Sequence, residues 1–217
     1  TAPRPFGADN KEVFRDWLIS TAELIKSIDP NHMVSVGSEG KYGCEVDLGL
    51  WEEIGRSPHI DYLNIHIWPF NWGWTTREDM ASGNVTPAVE LSREYLHEHL
   101  EVARRIGKPL VVEEFGFPRD SVGFSRSTSV SMRDVYYDAI LSEITDEAAG
   151  GGLLAGFNFW GWGGLAEPSE DHLMWQPGDD YTGDPAQEEQ GLYSVFASDT
   201  STVRIISYYA RSVERIE

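Results

Sequence analysis

Short apolar, β-branched segments alternate with longer amphipathic segments along this chain, and this alternation limits the fold more than any other feature. The segment MVSVG at 33–37 follows Pro30 and has the length and composition of a strand buried on both faces. The segment 87–106 opens with proline, carries one apolar face and stops before Gly107, as helices do. The predicted strands are 33–37, 62–68, 109–116 and 153–162, and the predicted helices are 9–29, 87–106, 131–147 and 201–214.

Strands and helices that alternate at this spacing favour an α/β fold built from parallel βα units. The residues that could carry chemistry follow the C-terminal ends of the strands, where a (β/α)8 TIM barrel has its active site. A complete barrel has eight strands and about 250 residues, whereas only four strands are predicted here. We therefore expect residues 1–217 to form the C-terminal half of one TIM-barrel domain, with roughly its last four βα units. A doubly wound sheet is the alternative architecture.

The chain is strongly acidic, with 17 Lys plus Arg against 36 Asp plus Glu and a formal net charge of -19. This charge argues against nucleic acid and anionic membrane as partners. The sequence has no apolar run of about 18 residues, and the opening residues 1–10 do not resemble a signal peptide, so any export signal is expected to precede them. Cys44 is the only cysteine, which excludes an internal disulfide and a thiolate zinc cluster.

Two adjacent carboxylates, Glu113 and Glu114, end the predicted strand 109–116. Because side chains alternate along a strand, only one of the two is expected to face the barrel mouth. The same alternation sends His66 and Trp68 to one side of the preceding strand. Eight tryptophans in 217 residues exceed what a core requires, and flat aromatic faces near strand ends favour stacking on sugars.

Two other groups of residues give weak metal signals. Asp179, Asp180 and Asp184 lack the regular ligand spacing of an EF-hand, so they are interpreted as part of a turn-rich loop within residues 163–200. His97 and His99 lie two apart on a predicted helix and point in different directions, so they are interpreted as surface residues. No metal site is predicted.

The order of three motifs resembles glycoside hydrolase family 5. His66-Ile67-Trp68 is followed by Glu114-Phe115-Gly116 and then by Trp160, which ends the last predicted strand. Within that family, the stretches 37–40, 64–74 and 177–202 are more similar to the β-mannanases than to the cellulases. The resemblance covers nearly the whole chain.

The resemblance implies roles for individual residues. Glu114 would be the nucleophile, His66 a hydrogen-bonding partner of the catalytic carboxylates, and Trp160 the platform beneath the sugar at the cleavage point. Many family members have a tyrosine two residues after this histidine, bonded to the nucleophile, and here Trp68 stands in that place. The residues expected to contact substrate are Trp160, Trp68, Trp72, Trp162, Glu39 and Arg4.

The opening residues depart from the family pattern. The fourth strand of the family ends in Asn-Glu-Pro-Arg-Pro, whereas this chain reads Thr1-Ala2-Pro3-Arg4-Pro5. Ala2 therefore occupies the position of the acid/base glutamate. A retaining glycosidase needs two carboxyl groups about 5–5.5 Å apart, so the chain by itself lacks a general acid.

The predicted function is endo-hydrolysis of β-1,4-mannosidic linkages in mannan, glucomannan or galactomannan, by retaining double displacement and without a cofactor. The expected partners are β-mannan or manno-oligosaccharide and the N-terminal half of the barrel, present as a missing segment or as a separate chain. The alternatives are a catalytically inactive glycan-binding barrel, which Ala2 motivates, and a cellulase or glucomannanase of the same family. The resemblance implies a secreted or periplasmic protein.

Overall fold

The computed structural model describes residues 2–214, so Thr1 and residues 215–217 lie outside the described part. The α-helices in this part are α1 (Lys11–Ile28), α2 (Leu48–Gly55), α3 (Arg77–Ser82), α4 (Thr86–Ile106), α5 (Ser131–Ala149) and α6 (Thr200–Val213). The strands are β1 (Leu63–Ile67), β2 (Leu110–Phe115), β3 (Leu154–Phe159), β4 (Trp162–Gly164) and β5 (Val195–Phe196).

The main sheet consists of three parallel strands in the order β1-β2-β3. Helix α4 connects β1 to β2 and helix α5 connects β2 to β3, as parallel pairing requires. Strands β4 and β5 form a separate two-stranded parallel sheet. Because β1, β2 and β3 run the same way, their C-terminal ends meet at one edge of the sheet.

The long helices match the sequence prediction because their ends carry local signals. Helix α4 begins with Pro87 in its first turn and ends at Gly107, whose φ of 75° is the left-handed conformation that glycine adopts without strain. Helices α1, α5 and α6 likewise begin and end within two residues of their predicted bounds.

The strand predicted at 33–37 is wrong. Only one backbone hydrogen bond of the ladder type remains there, from Asp61 N to Val34 O at 2.8 Å. Side chains take the other positions, since Val34 N donates to Asp61 Oδ2 at 2.6 Å and Gly37 N donates to Asn64 Oδ1 at 3.1 Å. The segment therefore lies beside β1 without becoming a strand of its sheet.

Helix α4 also corrects the interpretation of its two histidines. His97 is exposed and contacts Glu143, as expected, but His99 is fully buried. The Nε2 of His99 accepts a hydrogen bond from Lys41 N at 2.9 Å, while Nδ1 bonds to Tyr95 O. Burial lowers the pKa of His99 to about 3, so this side chain is a neutral core group.

A buried charged network joins the end of β2 to the segment before α6. Arg133 of α5 is fully buried and donates to the carbonyls of Phe117, Leu192 and Ser194 at 2.7, 3.1 and 2.9 Å. The neighbouring Asp199 accepts a hydrogen bond from the buried Arg119 at 2.5 Å. Two buried guanidinium groups therefore support this region together with the short β4–β5 sheet.

Helix α1 packs on the rest of the fold with only one of its apolar faces. The packed face carries Phe14, Leu18 and Ala22, which are buried. Val13 and Trp17, which are also apolar residues of this helix, are 71% and 54% exposed. No helix within residues 2–214 is long and apolar enough to cross a membrane.

Candidate active site

Three strand ends bring the predicted site residues together. His66 on β1 pairs with Glu114 on β2, and Trp160 follows β3 directly. The backbone N–H of Trp160 donates to the carbonyl of Phe115 at 2.7 Å, which fixes the end of β3 against the end of β2. The parallel sheet therefore places the histidine, the carboxylate and the tryptophan side by side.

An irregularity in β2 brings a second carboxylate close to His66. Ile65 pairs with Val112 and the next residue, His66, pairs with Glu114, so Glu113 has no partner on β1. Both carboxylates then reach one imidazole, with Glu114 Oε2 at 3.1 Å from His66 Nδ1 and Glu113 Oε2 at 3.5 Å from Nε2. Glu114 lines the cavity and Glu113 is not among its lining residues, which agrees with the prediction that only one of the two faces the mouth; the bulge brings Glu113 to the other nitrogen of the same histidine.

The groups around Glu114 shift its pKa in opposite directions. Burial raises the pKa of Glu114 above its usual value, and the negative charges of Glu113 and Glu39 add to this rise. His66, whose side chain is only 4% exposed, acts in the opposite direction and favours the carboxylate. The imidazole is therefore the group that offsets the cost of an ionised Glu114.

The strand ends open into a cavity of about 780 Å³. Of the predicted site residues, it is lined by Ala2, Arg4, Glu39, His66, Trp68, Trp72, Glu114 and Trp160. Trp162 is not among the lining residues and lies on β4 with 56% of its surface exposed. Arg4 forms an ion pair with Glu39 at 2.5 Å across one side of the cavity, and Tyr95 donates a hydrogen bond to the Glu39 carbonyl.

Aromatic rings form one wall of the cavity. The ring of Trp68 lies edge-on to Trp160, with 6.1 Å between centroids, and edge-on to Tyr193 at 4.9 Å. All three pack around Gly116, where an added Cβ would lie 2.7 Å from the Trp68 ring and 3.1 Å from the Trp160 carbonyl. Only glycine fits there, two residues after Glu114.

The sequence interpretation missed part of the cavity lining. Asn71, Pro185, Gln187 and Glu188 also line the cavity, and the last three lie in the long loop that follows β4. Burial raises the pKa of Glu188, and the nearby charges of Asp184 and Glu114 raise it further. The length of this loop and the resemblance of 64–74 and 177–202 to the β-mannanases were the available signals, but neither identified these individual residues.

Comparisons with known proteins agree with this site. All 217 residues match the family described as GH family 5 beta-mannosidase-like. Mannan endo-1,4-beta-mannosidase 1 of Arabidopsis thaliana is 28% identical over 172 residues, which cover 73% of this chain and 40% of that protein.

The glycoside hydrolase family 5 mannosidase from Rhizomucor miehei superposes with a TM-score of 0.82 at 30% identity, over 93% of this chain and 48% of that one. A mutant of the same enzyme in complex with mannosyl-fructose gives a TM-score of 0.81 at 28% identity, over 93% and 49%. The chain therefore spans about half the length of these solved structures, and its fold is part of a TIM barrel. The predicted resemblance is confirmed, and the chain belongs to the β-mannosidase-like group of glycoside hydrolase family 5.

Proposed function

We propose that the full-length protein hydrolyses β-1,4-mannosidic linkages inside mannan chains as a retaining glycosidase. One contact carries the proposal: the carboxylate of Glu114 lies 3.1 Å from His66 Nδ1, in the cavity that Trp160 also lines. A carboxylate at a strand end, supported by a histidine and flanked by an aromatic ring, has the groups needed to attack a sugar.

In the proposed first step, a carboxylate oxygen of Glu114 attacks the anomeric carbon of a mannosyl residue. A glycosyl-enzyme bond forms as the glycosidic bond breaks, and the leaving oxygen takes a proton from a general acid. In the second step, water attacks the anomeric carbon while it gives a proton to the same group, now acting as a base; the bond to Glu114 breaks, and the sugar leaves with retained configuration. Trp160 supplies an apolar face for the sugar ring during both steps.

The protonation state of Glu114 is central to this proposal because only the ionised form attacks. Its burial in the cavity favours the neutral form. We assign to His66 the role of keeping the carboxylate ionised and oriented, since no tyrosine occupies the position of Trp68. This contact supplies an alternative to the missing tyrosine hydroxyl.

The general acid is proposed to be a carboxylate outside the described residues. Ala2 lines the same cavity as Glu114, and its methyl group can neither donate nor accept a proton. Ala2 occupies the family's acid/base position, so the Ala2→Glu variant tests directly whether a carboxyl group at this position can act as the proton donor.

We further propose that an N-terminal half of the barrel covers the surface that helix α1 leaves open. Val13, Trp17 and Ile28 are 71%, 54% and 77% exposed on the outer face of α1. Apolar side chains in a row of this kind are typical of a contact surface. The relatives, of which this chain spans about half, are long enough to supply a covering segment.

The substrate class follows from the relatives. The Arabidopsis thaliana protein is named as a mannan endo-1,4-beta-mannosidase, and the Rhizomucor miehei enzyme was solved with mannosyl-fructose. We propose mannan, glucomannan or galactomannan as polymers and manno-oligosaccharides as shorter substrates. A glycan-binding barrel without turnover is the second candidate, and Ala2 in the cavity is the observation that favours it.

The test compares the full-length protein with its Glu114→Gln variant on β-mannan, with reducing ends as the readout. We expect Glu114→Gln to lower the rate by at least about 1000-fold, because the amide cannot form the glycosyl-enzyme. Glu101→Gln is the matched control, since Glu101 is exposed on α4, pairs with Arg104 and does not line the cavity. This control should leave the rate unchanged.

The Ala2→Glu variant separates the two candidates. If mannohexaose binds without release of product in both the original protein and Ala2→Glu, the hydrolase proposal fails and the binding function replaces it. Mannan cleavage that survives in Glu114→Gln would instead show that another group is the nucleophile.

A further inference from the structure

The long loop after β4 returns to the active-site cavity at one short segment, the tip loop (residues 185–190). Pro185, Gln187 and Glu188 of the tip loop line the cavity together with Glu114. The tip loop contains no helix or strand; a single backbone bridge joins Glu189 to Met174, with Gln190 N donating to Leu173 O at 2.7 Å, and side-chain contacts hold the rest.

Asp184 holds the two ends of the tip loop together. Its side chain is almost fully buried, with 6% exposure, although the sequence places it in a turn-rich loop. Its carboxylate accepts hydrogen bonds from Gly191 N at 2.8 Å, Tyr193 N at 3.0 Å and the Ser194 hydroxyl at 2.5 Å. A carboxylate with this many donors is a strong local constraint.

Gln190 ties the tip loop from within. Its side-chain amide donates to the carbonyls of Pro185 at 2.7 Å and Glu188 at 3.0 Å, and its oxygen accepts from Thr182 at 2.8 Å. Gln190 is itself 5% exposed. The tip loop is therefore a closed unit whose orientation is set at Asp184.

Tyr193 extends this constraint to the strand that carries Glu114. The backbone N–H of Tyr193 binds Asp184, while its hydroxyl donates to Asn71, which lines the cavity. The Tyr193 ring packs on Trp68 and closes on Gly116, with 3.1 Å between its Cδ1 and a Cβ placed there. A shift of Tyr193 would therefore move both the aromatic wall and the tip loop.

We propose that Asp184 is a positioning residue of the active site, which sets the tip loop and, through Tyr193, the Trp68 ring against the sugar without touching it. This inference rests on the proposed function for its kinetic consequence, but the structural part stands by itself. Asp184 accepts hydrogen bonds from the backbone N–H groups of Gly191, Tyr193 and Ser194. Within the part of the chain that the structure describes, no other carboxylate accepts more than two such bonds from the segment around the tip loop.

The experiment compares Asp184→Asn with Ile144→Ala in the full-length protein. Ile144 is fully buried in helix α5 and does not line the cavity, so its truncation lowers stability without altering the site. We expect Asp184→Asn to lower kcat/KM on mannohexaose by about 10- to 100-fold, because small misplacements of contact groups weaken transition-state binding. Ile144→Ala should stay within about twofold at the same temperature, below both melting transitions.

Hydrogen–deuterium exchange supplies a readout that needs no turnover. Asp184→Asn should speed exchange in the peptide that contains Gly191 and Tyr193, whereas Ile144→Ala should not. If Asp184→Asn fails to fold, Gln190→Leu loosens the same loop and should change kcat/KM and exchange in the same direction. Faster exchange with unchanged kcat/KM, or unchanged exchange, would overturn the inference.

Failure of the proposed function would be seen separately. If the original protein does not cleave mannan, the Kd for mannohexaose replaces kcat/KM in the same comparison. A weaker Kd in Asp184→Asn but not in Ile144→Ala would then support the positioning role, and equal Kd values would refute it.

Discussion

Replacing Arg133 by methionine tests how much the buried charged network contributes to the fold. The substitution keeps an unbranched apolar stem but removes the guanidinium, and with it the donors to the Phe117, Leu192 and Ser194 carbonyls. Each buried acceptor left without a donor costs about 1–3 kcal/mol, which sums to about 3–9 kcal/mol. Local relaxation reduces this sum, and we expect a loss of about 3–5 kcal/mol, as for a broken buried ion network.

Urea denaturation of the full-length protein, followed by tryptophan fluorescence, measures this loss as a change in the free energy of unfolding. Arg56→Met is the matched control because Arg56 forms an exposed pair with Glu52, one helical turn away, which contributes about 0.3–0.5 kcal/mol. A loss below about 1 kcal/mol for Arg133→Met would refute the reasoning, since the three carbonyls would then have found other donors.

Three further predictions concern the site. Glu114→Gln should raise the melting temperature at pH 7, because burial raises the pKa of this carboxyl and its charged form opposes folding. The gain should disappear below pH 4.5, where the carboxyl is also neutral in the unfolded chain. Melting temperatures measured across a pH series check this. Glu113→Gln should move the acid limb of the kcat/KM profile to lower pH, because a charge that raises the pKa of Glu114 is removed. Gly116→Ala should cost about 1–3 kcal/mol in urea titrations, because its Cβ would lie 2.7 Å from the Trp68 ring and 3.1 Å from the Trp160 carbonyl.

The four predicted helices and three of the four predicted strands followed from local signals in the sequence, whereas the short helices α2 and α3 were not predicted. Pro87 and Gly107 mark the ends of α4 by chemistry that depends only on neighbouring residues. The segment 33–37 has the composition of a strand, but Asp61 and Asn64 bind its backbone through their side chains. The composition of 33–37 does not reveal that side chains take the place of a neighbouring strand's backbone, because those side chains lie 27 positions away along the chain.

The site was predictable where motif order carries the chemistry and unpredictable where the backbone departs from regular geometry. His66, Glu114 and Trp160 lie together because their strands are parallel neighbours. The approach of Glu113 to the same histidine depends on a bulge, and the alternation rule assumes that none is present. The tip loop lay beyond sequence reasoning because its position depends on Asp184, whose hydrogen-bond donors lie 7 to 10 residues further along the chain.

The fixed ends of the tip loop have a practical consequence for engineering. Asp184 and Gln190 fix both ends of the segment, and neither contributes its side chain to the cavity lining. Residues 186–188 between them can therefore be exchanged as a cassette, with the rest of the barrel held constant. A combinatorial library confined to these three positions would sample sugar preference directly, because two of them, Gln187 and Glu188, already face the cavity.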